Sequence, residues 1–334
     1  MKILFYSCES YDKISFRETL KKYPNLEIKF IESFLNDTTV ELARGYDAIC
    51  VFVNDVVNET ILTKLKDLGV KIIALRCAGY DKVDVKKAEE LGIIVTRVPA
   101  YSPESIAEHA MALALSVNRR IHKAYTRVRD NNFSLTGLSG FCLHGKKAGV
   151  IGYGKIGKCM ANICKGFGMH VISYDPYFKP QDENDTTESV DLNTLYKDAD
   201  FIFLTTLLND STYHMINKDS INLMKKDVVL INVSRGPLID TDALIEGIKE
   251  GKFFGVGLDV YEGEDKNVYK NHENDILFNY IPSTLLGFPN VIITSHQAFL
   301  TKEALEQIST TVCDCLTKYE NKEEINKVYK VTNN

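Results

Sequence analysis

The chain has 334 residues, is 45% apolar and 25% charged, and carries a formal net charge of −5. At roughly 150 residues per domain this length suggests about two domains, and the composition excludes disorder over most of it. A slightly acidic balance gives no electrostatic footing for nucleic acid or an anionic membrane, so neither is expected as a partner.

No run of eighteen apolar residues predicts a transmembrane helix. Met1–Ser7 has too short an apolar stretch for a signal peptide and reads as a first strand. The eight cysteines are scattered and none forms CxxC, which points to buried free thiols in a reducing cytoplasm. No Cys/His cluster has ligand spacing, so no metal is expected.

Strands are predicted at Lys2–Ser7, Leu26–Ile31, Asp47–Val53, Ile72–Arg76 and Ile93–Thr96, with helical periodicity between them at Asn58–Lys66 and Val83–Leu91. One long helix is predicted from Pro103 to about Asp130, with Ser102 as N-cap. Its apolar face suits either a core position or a subunit contact. A second series follows, with strands at Ala148–Ile151, His170–Tyr174, Phe201–Thr205, Val228–Asn232, Gly255–Asp259 and Val291–Thr294. Glu262–Pro289 reads as a long, polar, functional loop, and Lys302 to about Asn321 as a closing helix. Strand–helix alternation at this pitch predicts an α/β protein of two Rossmann-like, doubly wound parallel-sheet domains with an active-site cleft between them. The chain is expected to cross between domains near residues 99–101 and 297–300.

Gly152-Tyr153-Gly154-Lys155-Ile156-Gly157 follows the strand Ala148–Ile151 and opens the predicted helix Ile156–Phe167. The first glycine suits a tight turn, the second a close approach of pyrophosphate, the third helix-on-strand packing. A helix N-terminus there supplies N–H groups and partial positive charge to phosphates. Asp175 ends the next strand, 18 residues after Gly157 and 23 after Gly152. A carboxylate there suits the ribose hydroxyls and repels a 2′-phosphate, favouring NAD over NADP, while Lys179 a few residues on weighs the other way. Residues 1–99 carry no such fingerprint, so that half is expected to hold the substrate.

A hydride-transferring site needs a proton carrier, and histidine is suited to neutral pH. His109, His122, His144 and His170 lie in or beside regular elements and read as structural or surface residues; His214 lies in a polar connection and His272 in the long loop. His296 lies just past a strand's C-terminal end, where open parallel sheets bind ligands. Arg235 follows the strand Val228–Asn232, where it would either fork onto a carboxylate or sit at a surface turn. Asp259, Glu262 or Glu264 would orient the histidine.

These residues resemble the D-specific 2-hydroxyacid dehydrogenases over nearly the whole chain, and in particular their lactate-forming branch. The resemblance rests on Arg76-Cys77-Ala78-Gly79, Arg97-Val98-Pro99-Ala100-Tyr101-Ser102-Pro103, Ala107-Glu108-His109-Ala110 and Asn118-Arg119-Arg120. It rests equally on Asn232-Val233-Ser234-Arg235-Gly236, Asp259-Val260-Tyr261-Glu262 and Ser295-His296-Gln297-Ala298-Phe299-Leu300. It implies NAD as cofactor and reversible hydride transfer between NADH and pyruvate, as in fermentation. Larger substrates such as 2-oxoisocaproate, or an NAD(H)-sensing role without turnover, are the alternatives. It implies that Arg235 binds the substrate carboxylate, that His296 is general acid and base, and that Glu264 hydrogen-bonds His296 and keeps it protonated. Backbone N–H groups of Ala78 and Gly79 would help hold the carboxylate, and Tyr101, Phe52 and Phe299 would form a small apolar pocket. Gly152 to Gly157, Tyr153, Lys155 and Ile156 included, with Asp175, Thr206, Val233, Ser234 and Asp259, would line the cofactor. The family usually has His and, two residues later, Pro where this chain has Thr205-Thr206-Leu207, which bears on packing beside the nicotinamide. The formate-oxidising relatives carry Gln in the place of Glu264, which speaks against that activity. The resemblance assigns residues 100–298 to the NAD domain, 1–99 with 299–334 to a flavodoxin-like substrate domain, and the long helix to the contact of a homodimer or higher oligomer.

Overall fold

The computed structural model describes residues 1–177, 185–264, 267–269, 271–274 and 280–333. Lys179 lies outside them, as does part of the predicted loop at 262–289. The elements run β1 (Lys2–Phe5), α1 (Ser10–Leu20), β2 (Glu27–Phe30), β3 (Ala48–Val51), α2 (Glu59–Asp67), β4 (Ile72–Leu75), α3 (Val85–Glu90) and β5 (Ile94–Thr96). Then come α4 (Pro103–Arg119), α5 (Ile121–Arg129), β6 (Lys147–Ile151), α6 (Lys155–Gly166), β7 (His170–Tyr174), β8 (Glu188–Ser189), α7 (Leu192–Asp198) and β9 (Phe201–Leu204). The chain continues through α8 (Lys218–Leu223), β10 (Val228–Asn232), α9 (Thr241–Lys249), β11 (Phe253–Leu258), α10 (Tyr280–Leu286), β12 (Val291–Ile293) and α11 (Lys302–Glu320).

Two compact units result. One comprises Met1–Ser102 with Phe299–Asn334, the other Pro103–Ala298. The first unit has five parallel strands in the order β2-β1-β3-β4-β5, the flavodoxin-like winding. Every residue of β3 and β4 is buried, as expected of parallel strands covered on both faces. Side chains at the helix starts stop the strand run: Asn58 accepts the Ile61 N–H, Asp84 the Lys87 N–H and Thr301 the Ala304 N–H.

The second unit has seven parallel strands in the order β12-β11-β10-β9-β6-β7-β8, the doubly wound order with its switch between β6 and β9. One face packs Ala110, Leu113 and Val117 of α4 and Met160 of α6 on Val150, Phe203 and Ile231. The other packs Leu195, Ile221, Leu244 and Ile248 on Ile202, Leu230 and Val256. Gly255 and Gly257 explain why α4 lies so close to β11. Side chains there would come within 3.0 Å of Val117 and 3.1 Å of Leu113.

Two predicted elements are corrected. The long helix is two, broken at Arg120, whose φ is +53°. Its guanidinium donates to the carbonyl of Phe254 at 3.1 Å and lies over the Phe254 ring. No glycine or proline marks this break, so local sequence could not show it. Ser102 has φ +44° rather than the extended backbone usual for an N-cap. The loop predicted at 262–289 contains α10, which seats Ile281 and Leu285 against the core and places Pro282 in the first turn, where its missing N–H costs nothing.

Leu230 is fully buried in central β10. Leu230→Ala should lower the stability of the second unit by about 2–5 kcal/mol, read as a drop in its thermal midpoint, because a cavity replaces packed methyl groups.

Candidate active site

The register of the second sheet sets one row at its C-terminal edge: Ile151, Leu204, Asn232, Leu258 and Ile293 pair across five strands. The residues that follow each strand therefore emerge on one rim. Gly152 turns there with φ +92°, and a side chain on it would meet the Thr206 backbone at 2.6 Å. A side chain on Gly157 would lie 2.0 Å from the Gly152 carbonyl. Gly154, by contrast, faces open space and caps α6 without a side-chain hydrogen bond. The first-turn N–H groups of α6, at Lys155 and Ile156, thus lie beside open space, as a helix N-terminus that could take an anion requires.

Asp175 accepts the N–H of Tyr153 at 2.7 Å and of Tyr177 at 2.9 Å, one on each oxygen, so each oxygen keeps further accepting capacity. The Tyr153 side chain is buried, and its hydroxyl bonds Asp185 and Thr187, so this residue holds the loop rather than facing a ligand with its ring. Thr205 donates its hydroxyl to the Gly152 carbonyl at 2.7 Å, and Ser234 donates to the Thr206 carbonyl. The Thr205-Thr206 departure is thereby integrated into the loop as a tie between β6 and β9.

Buried Asn232 folds the next turn: its amide donates to the Arg235 carbonyl at 2.9 Å and accepts the Ser234 N–H at 3.0 Å. The N–H groups of the Val233–Arg235 turn are set by this clamp. Arg235 is half-buried and gives one guanidinium N–H to the Ser234 carbonyl at 2.9 Å; no described carboxylate pairs with it, so its fork remains available to an anion.

Asp259 is 1% exposed. Its carbonyl accepts the His296 N–H, and its carboxylate accepts the Gln297 and Ala298 N–H groups, all at 2.9 Å, and the Thr294 hydroxyl at 2.5 Å. Burial pushes this carboxyl up, and the bonds from His109 and Thr294, the charge of His109 and the Ala298 N–H outweigh it, so it stays below the ordinary carboxylate range. The turn so held places His296 at φ +50°. His296 Nδ1 lies 2.8 Å from Glu264 Oε1, and Glu264 Oε2 accepts the Tyr261 N–H at 3.2 Å. No described residue occupies His296 Nε2. Of the three acids open from sequence, Glu264 is thus the partner. Glu262 is taken by His214 at 2.7 Å and Thr241 at 2.6 Å.

In the first unit, Phe299 touches Phe52, Tyr101 and Tyr11, with ring centroids 5.7, 6.3 and 6.3 Å away. The buried Arg76 guanidinium lies 4.4 Å over Phe52 and ion-pairs Asp12, fixing that ring. Arg97 binds the Ala78 carbonyl at 3.2 Å and the Cys77 thiol donates to the Gly79 carbonyl at 3.3 Å, while the N–H groups of Ala78 and Gly79 bond no described residue.

Tyr11, Thr294, Tyr269 and His109 were not singled out from sequence. Tyr269 donates to the His296 carbonyl at 2.9 Å. His109 is a hydrogen-bonded structural histidine, as its place in a helix suggests, and its partners are Thr294 at 3.1 Å and Asp259 at 3.3 Å. Nothing local could reveal these partners, since they lie over 140 residues away.

A Rossmann rim with a glycine-rich turn, an Arg that pairs with no described carboxylate and a His–Glu pair fits an NAD-dependent oxidoreductase. The profile of the D-isomer specific 2-hydroxyacid dehydrogenase NAD-binding domain matches residues 111–298, and the chain belongs to that family. D-lactate dehydrogenase of Escherichia coli (strain K12) is 45% identical over 96% of this chain and 97% of its own. The apo structure of the Escherichia coli enzyme aligns over 99% of this chain and 100% of its own with TM-score 0.90 at 43% identity. D-lactate dehydrogenase from Aquifex aeolicus, complexed with NAD and lactic acid, aligns over 99% of both chains with TM-score 0.88 at 34% identity. D-2-hydroxyisocaproate dehydrogenase aligns over 99% of this chain and 100% of its own with TM-score 0.87 at 31% identity.

Gly157→Ala should weaken NADH binding at least tenfold by fluorescence titration, because the methyl group would collide with the Gly152 carbonyl and push the phosphate loop open.

Proposed function

We propose that the chain reduces pyruvate to D-lactate, reversibly, with NADH. The observation that carries this is the His296–Glu264 pair held at 2.8 Å on the rim that also bears Arg235 and the glycine loop. Bound NADH supplies the hydride that reaches the keto carbon. Arg235 binds the substrate carboxylate and polarises the keto group. His296 Nε2 delivers a proton to the keto oxygen as it becomes a hydroxyl, and takes it back in the reverse direction, while Glu264 at Nδ1 fixes the ring. Gly152 to Gly157, Asp175, Thr206, Val233, Ser234 and Asp259 are assigned to the cofactor side. Ala78 and Gly79, through their N–H groups, and Phe52, Tyr101 and Phe299 are assigned to the substrate. The aromatic trio suits a methyl group, and the 45% identical Escherichia coli relative bears a D-lactate name. One methylene changes such binding by only about 1–3 kcal/mol, so a larger 2-oxo acid is the second reading, favoured by the hydroxyisocaproate dehydrogenase likeness.

His296→Gln should lower kcat with pyruvate about 10²–10⁴-fold at near-normal NADH affinity. Arg235→Gln should raise the pyruvate KM as well as slow turnover. Wild-type turnover by His296→Gln would overturn the proton-carrier assignment. Ranking 2-oxo acids by kcat/KM decides the substrate: a larger acid ahead of pyruvate would replace the lactate reading.

The eight free cysteines, six of them buried, support a reducing cytoplasm, where NADH reoxidation would serve fermentation. Among the described residues no helix is long and apolar enough to cross a membrane.

A second copy of the chain is the proposed partner. Whereas α4 buries one face within its own unit, α5 buries no residue, and Ile121, Tyr125, Val128, Phe133 and Leu135 stand at least half exposed. Monomers rarely leave such an apolar set uncovered. Sedimentation should show a dimer or larger species, with Phe133→Asp/Leu135→Asp shifting it to monomer; a monomeric wild-type protein would refute this.

A further inference from the structure

His109 stands on α4, and the chemistry proposed above makes no use of it. Its ring is 18% exposed, and Nε2 sits between two oxygens, Thr294 Oγ1 at 3.1 Å and Asp259 Oδ1 at 3.3 Å. The Thr294 hydroxyl spends its only hydrogen on Asp259 Oδ1, so towards His109 its oxygen accepts. A carboxylate likewise only accepts. Both contacts therefore require a proton on Nε2, whether the ring is neutral or charged.

The group His109 braces is the one on which the turn after β12 depends. The Asp259 carboxylate holds the N–H groups of Gln297 and Ala298, and the Asp259 carbonyl holds that of His296. These bonds keep His296 in a left-handed conformation, which for a non-glycine residue costs about 1–3 kcal/mol. Direction in this chain of contacts runs from His109 through Thr294 and Asp259 to the backbone that aims the His296 ring. Glu264 and Tyr269 fix the same residue at two other atoms, Nδ1 and the carbonyl.

We propose that His109 is a positioning residue for proton transfer: its Nε2–H, shared between Asp259 and Thr294, locks the 294–298 turn and so aims His296 at the substrate oxygen. The proposal rests on the reading of His296 as proton carrier.

The test compares His109→Leu, His109→Gln, His296→Gln and the His109→Leu/His296→Gln pair, with pyruvate and NADH as probes. Because small misplacement of a reacting group costs up to about 100-fold in rate, His109→Leu should lower kcat about 10- to 100-fold. Its NADH dissociation constant should change far less than kcat, since the mutation leaves the glycine loop and Asp175 untouched although Asp259 lies on the cofactor side. His109→Gln, whose amide N–H replaces the donor, should restore most of the lost kcat. In the His296→Gln background, His109→Leu should produce no further loss, since residues acting as one unit are not additive. An unchanged kcat in His109→Leu overturns the proposal. So does an equal further loss in the His296→Gln background, which would mark a general structural role. Should His109→Leu fail to fold, His109→Asn, too short to reach Asp259, takes its place in the same cycle. Full turnover by His296→Gln alone would strike the proton-carrier reading itself, and is seen before His109 is altered.

Discussion

Parallel register is the constraint on which the second unit depends. Five strands end in one row because each pairs in step with its neighbour, and parallel pairing sends every following loop out on the same side. A glycine turn, a two-threonine tie, an Asn-folded turn, a buried Asp and a histidine thus share one rim, though up to 144 residues separate them in the chain. The strands themselves contribute no chemistry. Their apolar side chains fill both faces, and this burial is what holds the register.

Polar groups at that rim are buried only where they are satisfied. Asn232 and Asp259 are almost inaccessible, and each spends its side chain on backbone groups of the turn that follows a strand. An unpaired amide or carboxylate there would cost about 1–3 kcal/mol or more. The same bonds that remove this cost fix the turns bearing Arg235 and His296. Stability and the placing of these two side chains therefore draw on one set of hydrogen bonds.

The first unit follows the same logic with a cation. Arg76 is buried, and it is tolerated because the Tyr6 and Ser7 carbonyls, Asp12 and two aromatic faces surround it. Nearby Asp55 accepts the N–H groups of Leu35 and Phe52 and the Ser7 hydroxyl; burial pushes its carboxyl up, with Arg76 and these bonds opposing. Phe52 is held twice, by its backbone on Asp55 and by its ring on Arg76. A rigid ring there gives the Phe299 cluster a defined shape.

Much of this protein was readable along the chain. Apart from the two-residue β8, periodicity located the strands of both series to within a residue or two, and glycine spacing marked the turn between β6 and α6, because those signals are local: a pleat repeats every two residues and a tight turn admits few side chains. The resemblance supplied Arg235, Glu264 and His296. What remained hidden depended on distant partners. The break at Arg120 is set by a carbonyl of β11 and the helix α10 by the core it covers, and the partners of Glu262, which are His214 and Thr241, come from elsewhere in the chain. His109 acquires its partners only when α4 is laid against β11 and β12, because a hydrogen bond to Asp259 has no trace in a sequence where 149 residues intervene. Local conformational preference is written in neighbouring residues, whereas the aim and partnering of polar side chains are decided by which strands the fold brings side by side.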